Sequence, residues 1–264
     1  MKTYSLVTPN RNRQEHLKQV LPSWQRSQQI SEIVIVDFGS DEPIGVQQFQ
    51  SPDKIKIVRV DNSDRWRIGL AINIGVVFST SDRICKFDSD IALVDDGALA
   101  GLDTSDKFYR GDWRGSVSNG QVIFEKAAWK QVGGYNEWLS GYGFDDSDFY
   151  IRLRKAGLAE NFIENGVLSE IKHSNELRGA GVNFSDEFLS IQLAGNDATF
   201  FQLQKNTCLA YLKRWRAEHR TQYSIVHSST DRAVVRLLPF PEDSRILNAF
   251  AGFLGFCFIG GTPE

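Results

Sequence analysis

The sequence is poor in cysteine, with three among 264 residues. Cys85, Cys208 and Cys257 are an odd number of thiols, and no two of them form a C-x-x-C pair. This spacing argues against a disulfide framework and a zinc knuckle, and it favours a reducing compartment. The N-terminal residues also lack the apolar run of a secretory signal. We therefore expect a cytoplasmic protein, either free or held at the inner face of a membrane.

An excess of positive charge is lacking too, since 30 Lys and Arg against 33 Asp and Glu give a formal net charge of −3. Nucleic acid is therefore not an expected partner. The uncharged apolar stretch at 246–259 is shorter than the roughly 20 residues that span a bilayer. We expect it to dock on the protein or on a second copy in a homo-oligomer. The alternative is peripheral membrane contact through this C-terminal region.

Several motifs of nucleotide-binding and hydrolytic enzymes are absent. The sequence has no Walker A loop, no G-x-G-x-x-G, no G-x-S-x-G elbow and no H-E-x-x-H. Each of these motifs supplies a specific piece of chemistry, so the corresponding enzyme classes are disfavoured. The glycine-rich loop of nucleotidyltransferases is also missing, and Thr8–Arg13 occupies its place after the first predicted strand.

What is present is an alternation of strand-like and helix-like stretches, which is typical of a parallel sheet flanked by helices. Polar clusters follow three of the strands, at Pro9–Arg13, Asp37–Asp41 and Asp88–Asp90. Because ligands bind beyond the carboxyl ends of such strands, these clusters predict a site. The predicted strands are 4–8, 32–36, 55–60, 83–87 and 122–125, and the predicted helices are 15–24, 70–78, 127–132, 146–156 and 198–219, with an extended segment at 166–173.

Three features carry candidate chemistry. Asp88 and Asp90 lie two residues apart after a buried strand, where two carboxylates can hold a divalent cation against a pyrophosphate. Asp145, Asp146 and Asp148 begin a predicted helix; one of them can act as a helix cap, but a cap does not explain three. His173 has two readings, a satisfied polar residue or a ligand in a manganese-type site beside carboxylates.

In this order, the motifs resemble those of the β1,4-galactosyltransferases. The stretch from Pro9 to Leu17 is similar to that family's P-F-R-N-R-x-x-H-L, with Asn10 in place of Phe. Further similarities are Trp66 with Asn73-Ile74-Gly75, the D-x-D at Asp88–Asp90, the G-W-G-x-E-D-x-D motif at Gly141–Asp148, and the metal-binding His at His173. The Asp37–Ser40 loop instead resembles the D-D-G-S of bacterial family-2 transferases of the chondroitin-polymerase type.

The resemblance implies an α/β protein with the GT-A fold, in which a mostly parallel Rossmann-like sheet is flanked by helices. It implies a domain at 1–195, with a nucleotide-sugar-binding half at 1–95 and an acceptor-binding half at 96–195. We expect a helical and apolar extension at 196–264. The implied reaction is inverting transfer of a hexose or N-acetylhexosamine from a UDP-sugar to a glycan or glycoconjugate hydroxyl, in polysaccharide biosynthesis.

The resemblance also implies roles for individual residues. Asp146 is the implied catalytic base. The implied donor-binding residues are Pro9, Arg11, Arg13, Asp37, Trp66 and Asp88; the implied acceptor-binding residues are Tyr142, Gly143 and Asp145; and the implied metal ligands for Mn²⁺ are Asp90 and His173, with Glu170 as a third.

Departures from the family pattern change some expectations. Glu170 stands where the family has Met, and a carboxylate is a harder ligand than a thioether, so we expect Mg²⁺ to compete better with Mn²⁺. Tyr142 and Asp145 replace Trp and Glu, so the acceptor need not be GlcNAc. The alternatives to an active transferase are a non-catalytic transferase-like domain that binds sugar or scaffolds a complex, and a sugar-nucleotide hydrolase or nucleotidyltransferase.

Overall fold

The computed structural model describes residues 3–63, 65–95, 97–112, 120–171, 195–212, 214–239, 250–251 and 254. Its described strands are β1 (Tyr4–Asn10), β2 (Ile30–Phe38), β3 (Ile55–Val60), β4 (Arg83–Lys86), β5 (Ile91–Leu93), β6 (Lys107–Arg110), β7 (Val122–Glu125), β8 (Ala159–Phe162), β9 (Leu168–Glu170), β10 (Tyr223–Ser228) and β11 (Arg232–Leu237). The helices are α1 (Gln14–Arg26), α2 (Ile68–Phe78), α3 (Lys126–Gln131), α4 (Asp145–Lys155) and α5 (Gly195–Leu212).

A nine-stranded sheet in the order β10-β11-β3-β2-β1-β4-β7-β6-β8 forms the centre. The five strands from β11 to β4 are parallel to one another, and β7 runs antiparallel to both β4 and β6. β1 and β2 are buried along nearly their whole length, which matches their continuous apolar sequences. The predicted mostly parallel α/β sheet is confirmed.

Helices cover both faces of this sheet. On one face α2 and α4 pack with the inner side chains of β1 to β4, and on the other face α1 packs through Leu17, Val20 and Trp24. Gly75 of α2 explains how closely that helix approaches the sheet, since a Cβ there would lie 2.4 Å from Val7 Cγ1. The glycine of the N-x-G motif therefore serves helix–sheet packing.

The parallel strands end at one edge, which is where the polar clusters lie. β1 continues to Asn10 and β2 to Phe38, so Pro9, Asn10 and Asp37, predicted as loop, belong to the strands. Beyond β4, a two-stranded antiparallel sheet of β5 and β9 pairs Ile91 with Glu170. This small sheet joins the D-x-D segment to the segment that precedes His173.

The C-terminal region differs from the predicted helical extension. The long helix ends at Leu212 rather than at 219, and Ala217–His219 is a separate 3₁₀ turn. β10 and β11 follow as a hairpin, and β11 pairs in parallel with β3. The region after 195 thus contributes two strands to the central sheet, and β11 buries its alternate residues Ala233, Val235 and Leu237 where it pairs with β3. The apolar stretch at 246–259 lies outside the described residues except for 250–251 and 254.

No helix among the described residues is long and apolar enough to cross a membrane.

Candidate active site

A clamp of hydrogen bonds fixes the first loop of the site. Asn12 has a left-handed backbone with φ of 55°, which Asn tolerates well. Its amide nitrogen donates to Asp41 Oδ2 (3.0 Å), and its amide oxygen accepts from the Asp41 backbone N–H (2.9 Å). The Asn12 N–H also donates to Ser40 Oγ. Asn12 therefore joins the loops after β1 and β2.

Asp37 supports the same loops from inside. Its side chain is fully buried and accepts a hydrogen bond from Arg59 Nη1 at 2.8 Å. The backbone N–H groups of Ser40 and Ile44 donate to the two carboxylate oxygens. In this structure Asp37 thus supports the loop at 39–44, and its predicted role in donor binding stays a prediction.

The remaining donor-side residues line the rim. Arg11 and Arg13 are half-buried just before α1, and Arg11 has no partner among the residues that the structure describes. Pro9 is a buried strand residue opposite Val36. The N-terminus of α1 has no side-chain cap, so its N–H groups and the two guanidinium groups favour an anion nearby.

Trp66 connects the predicted donor-binding residues to residues 141–144, which are called the acceptor motif below. Its ring packs edge-on against Phe38 with 5.7 Å between centroids, and its carbonyl accepts from the Gly141 N–H. Asn73, the other polar residue of this motif, is structural. Its amide bonds the backbone of Tyr135, the Trp129 indole and the Glu137 carboxylate, all within the core.

Buried polar atoms without partners lie at the carboxyl ends of β1 and β3. Neither atom of the Asn10 amide has a hydrogen-bond partner among the described residues, and the same holds for Thr8 Oγ1 and Ser63 Oγ. Asn10 is only 1% exposed. Unsatisfied buried polar groups are costly, so a native structure needs a reason for them. A ligand with hydrogen-bonding edges is such a reason, and the substitution of Asn for the family's Phe was the sequence signal.

The D-x-D carboxylates have different surroundings. Asp88 forms a reciprocal pair with Gln121, whose amide nitrogen donates to Asp88 Oδ2 while its oxygen accepts from the Asp88 N–H, both at 2.8 Å. The Asp90 carbonyl accepts from the Ile171 N–H, so Asp90 and Glu170 are brought together. His173 lies outside the described residues. Among those described, no group of three or more His, Cys, Asp and Glu forms a metal-binding cluster.

Lys86, which the sequence reading did not single out, lies at the centre of the site. Its fully buried Nζ is 2.9 Å from Asp88 Oδ1 and 3.6 Å from Asp146 Oδ1, and it donates to the Gly120 carbonyl at 2.7 Å. A Cβ at Gly120 would lie 2.9 Å from Asp88 Oδ2 and 3.0 Å from Asp146 Oδ2. Both carboxylates therefore converge on one point beside the buried ammonium.

The electrostatics of this cluster are those of a base held in a poorly solvated place. Burial raises the pKa of Asp146 well above its usual value, the Lys86 charge opposes that rise, and the Asp145 and Asp88 charges add to it. Burial likewise raises the pKa of Asp145. Asp148 has a different partner, because its carboxylate pairs with Arg152 Nη2 at 2.7 Å. Of the three acidic residues, Asp146 alone touches Lys86 within ion-pair distance.

The acceptor motif is built on unusual backbone. Gly141 and Gly143 have φ of 75° and 86°, and Phe144 has φ of 68°, a conformation that costs energy for a bulky residue. Tyr142 is 36% exposed, whereas Asp145 is buried at the start of α4. The motif thus presents the Tyr142 ring outward and keeps the Asp145 carboxylate inside.

The α5 helix, in a region without recognised motifs, supports the acceptor motif. Asn206 Nδ2 donates to the carbonyls of Ser140, Tyr142 and Gly143, the last at 2.8 Å. The buried Lys205 donates to Ser140 Oγ. Gln202, Lys205 and Asn206 share one helical face, and their burial against this segment is visible only in the folded chain.

We expect Asn206→Ala to raise the acceptor KM about tenfold, because up to three carbonyls of the acceptor motif lose their donor. The acceptor KM of a turned-over disaccharide measures the effect. UDP affinity should stay within about twofold. The matched control is Thr207→Ala on the same helix, whose hydroxyl bonds only Leu203 O. Equal weakening of UDP binding in Asn206→Ala would contradict a role confined to the acceptor motif.

Comparison with known proteins finds similar chains. The family model described as the N-terminal domain of galactosyltransferase matches residues 102–177, which include the acceptor motif. No curated protein matches the chain.

Solved structures match over most of the chain. The catalytic domain of Drosophila β1,4-galactosyltransferase 7 in complex with xylobiose has a TM-score of 0.58 at 18% identity, covering 94% of this chain and 99% of that one. The mannosyltransferase PcManGT of Pyrobaculum calidifontis, in complex with GDP-Man and Mn²⁺, has a TM-score of 0.56 at 12% identity, covering 99% and 76%. S. aureus TarS 1–349 with UDP-GlcNAc has a TM-score of 0.56 at 15% identity, covering 83% and 69%.

These comparisons confirm the predicted resemblance to galactosyltransferases and the GT-A class of fold. The chain has the fold of glycosyltransferase enzymes and carries a segment of the galactosyltransferase type. The roles of the individual site residues stay predictions.

Proposed function

We propose that this protein is an inverting, metal-dependent glycosyltransferase that moves a sugar from a UDP-sugar to a hydroxyl of a glycan or glycoconjugate. The observation that carries this proposal is the convergence of Asp88 and Asp146 on one point at the carboxyl edge of the parallel strands. Asp88 belongs to the predicted donor side, and Asp146 follows the acceptor motif directly. A site of this shape brings a donor and an acceptor together.

The donor side suits a nucleoside diphosphate. Arg11, Arg13 and the N-terminus of α1 offer positive charge for phosphates. The orphaned Asn10 amide and Ser63 hydroxyl offer hydrogen bonds to a base or ribose. Another Drosophila β1,4-galactosyltransferase 7 structure holds manganese, UDP-Gal and xylobiose, with a TM-score of 0.57. The overlap in fold supports a UDP-sugar donor here.

A divalent metal fits the described residues. The backbone of Asp90 is hydrogen-bonded to that of Ile171, next to Glu170, and carboxylate oxygens are hard ligands that suit Mn²⁺ and Mg²⁺. We propose that Asp90, Glu170 and His173 hold the ion. When bound, a divalent metal neutralises the charge that develops on the leaving diphosphate.

In the proposed reaction, the Asp146 carboxylate takes the proton of the acceptor hydroxyl. The acceptor oxygen forms its bond to C1 of the donor sugar on the face opposite UDP. The bond from C1 to the diphosphate oxygen breaks, its electron pair leaves with UDP, and the configuration at C1 inverts. Tyr142, Gly143 and Asp145 position the acceptor sugar.

The test of this proposal is calorimetric titration of UDP into the protein with Mn²⁺, and again with EDTA. We expect a micromolar Kd in Mn²⁺ and at least about tenfold weaker binding after chelation, because the metal pairs with the diphosphate. Mg²⁺ should restore much of the affinity. Equal affinity with and without metal would contradict the proposed ligand role of Asp90 and Glu170. GDP and dTDP are the controls, and tighter binding of either would contradict a uridine donor.

We further propose that the enzyme works in polysaccharide biosynthesis in a reducing compartment, consistent with two free thiols among the described residues. An acceptor screen with UDP-galactose, UDP-glucose and UDP-GlcNAc tests the activity directly. Release of UDP only when a glycan is present supports a transferase. Release without acceptor supports a sugar-nucleotide hydrolase instead.

A further inference from the structure

Lys86 is an unusual residue to find enclosed at a catalytic site. It is the last residue of β4, and its side chain is fully buried. An enclosed ammonium is expensive unless anions surround it. Here Asp88 is at 2.9 Å and Asp146 at 3.6 Å, and the Gly120 carbonyl accepts a hydrogen bond from Lys86 Nζ. The surroundings of Lys86 are therefore the two halves of the proposed reaction centre.

We propose that Lys86 is a positioning residue, whose buried charge keeps Asp146 ionised and ties it to Asp88. The inference rests on the proposed function, because only there is Asp146 a base. It follows from a conflict at Asp146. A base must be ionised to accept a proton, yet its enclosure and the nearby carboxylates of Asp145 and Asp88 disfavour the ionised form. Lys86 is the described cation that opposes them.

Other groups near Asp146 do not substitute for Lys86. The buried hydroxyls of Tyr135 and Tyr150 feel the Asp146 charge but carry no positive charge themselves. Arg152 on α4 is engaged by Asp148 and by the carbonyls of Val132 and Gly134. Removal of the Lys86 charge therefore leaves Asp146 facing carboxylates and apolar rings.

The first arm of the test measures turnover of a UDP-sugar against pH in wild type, Lys86→Gln and Lys86→Arg. Lys86→Gln removes the charge but keeps a hydrogen-bond donor. We expect the turnover rate of Lys86→Gln to be lower than that of wild type by about tenfold or more at pH 6. Most of that rate should return at pH 9, because a less acidic Asp146 still ionises at high pH. Lys86→Arg should stay near wild type in its pH profile. An equal loss at every pH, or an unchanged profile, overturns the proposal.

The second arm needs neither substrate nor metal. Thermal unfolding is followed at pH 5 and pH 8 in wild type, Lys86→Gln, Asp146→Asn and the double variant. The loss of thermal stability caused by Lys86→Gln should be larger at pH 8, where the carboxylates are charged, and smaller in the Asp146→Asn background. A cost that is equal at both pH values and in both backgrounds overturns the proposal. Absence of UDP-sugar turnover in wild type would refute the proposed function alone, since this arm still measures the coupling of the two residues.

Lys126→Met is the control variant. Lys126 is a partly buried lysine that donates to the Ser79 carbonyl, away from the site. Its replacement should therefore leave the pH profile unchanged. Lys86→Met, which removes charge and donor together, is a second neutral variant in case Lys86→Gln does not fold. Failure of both neutral variants to fold would make Lys86 a structural residue and would overturn the proposal.

Discussion

Asp146→Asn should lower the rate of sugar transfer by about 10²–10⁴-fold, the usual contribution of a general base. Asn has the same shape as Asp but cannot accept the proton of an acceptor hydroxyl. UDP affinity in Mn²⁺ should change little, since Asp88, not Asp146, is the carboxylate beside Lys86 that is assigned to the donor. Wild-type turnover should fall as the pH drops through the raised pKa of Asp146, because the protonated base is inactive. Initial rates of UDP release against pH measure the loss of transfer rate and its pH dependence, and calorimetric titration measures the UDP affinity.

The matched control is Asp148→Asn, the same change two residues along the chain. Asp148 pairs with Arg152 and not with Lys86, so its replacement should lower the melting temperature and leave turnover at 20 °C within about threefold. Equal loss of UDP binding and transfer in Asp146→Asn would indicate a structural role for Asp146 rather than proton transfer.

Arg59→Met should have the largest effect on stability. The substitution leaves the fully buried Asp37 carboxylate without its cation, and removing one partner of a buried ion pair costs about 3–5 kcal/mol of unfolding free energy. Arg59 also bonds the Ser40 carbonyl, so the loop at 39–44 loses a second support. UDP binding should weaken together with stability. Chemical denaturation and UDP titration measure the two consequences.

A double variant separates the charge from the packing. Arg59→Met with Asp37→Asn removes both charges, and the pair should recover a large part of the lost stability. Additive losses in the double variant would show that the two side chains contribute independently. The exposed ion pair of Lys18 with Glu15 is the control, because Lys18→Met should change stability by less than about 1 kcal/mol.

The sequence was most informative where strands end in polar residues. The apolar stretches before Asp37 and Asp88 predict buried strands, and parallel strands bring their carboxyl ends to one edge, so the placement of both residues at that edge follows from the pattern. The G-Y-G-F-D-D stretch was similarly readable, because its glycines and acidic residues leave few structural explanations.

Two residues of the candidate site were not readable in this way. Lys86 is the last residue of an apolar strand and looks like its polar end. Only the folded chain shows that Asp146, sixty residues later, lies within ion-pair distance of it. Asn206 lies on a helix far along the chain, and its three carbonyl partners depend on how α5 packs on the motif at 141–144. Long-range packing of this kind leaves no local pattern.

The C-terminal hairpin was missed for a related reason. Tyr223–Ser228 and Arg232–Leu237 are short and only partly apolar, and strand preference depends on the neighbour that a strand meets. β11 meets β3, whose buried Ile57, Val58 and Val60 supply the missing apolar surface.

The place of β11 has a consequence for how the protein is made. The edge of β3 is synthesised early, but the strand that pairs with it leaves the ribosome about 170 residues later, and synthesis runs at roughly 5–20 residues per second. For that interval of some ten to thirty seconds, the nascent chain carries an open β edge next to a nearly complete sheet. Such an edge is a template for pairing with other chains. The nascent protein therefore depends on its last strands, or on a chaperone, for protection from aggregation.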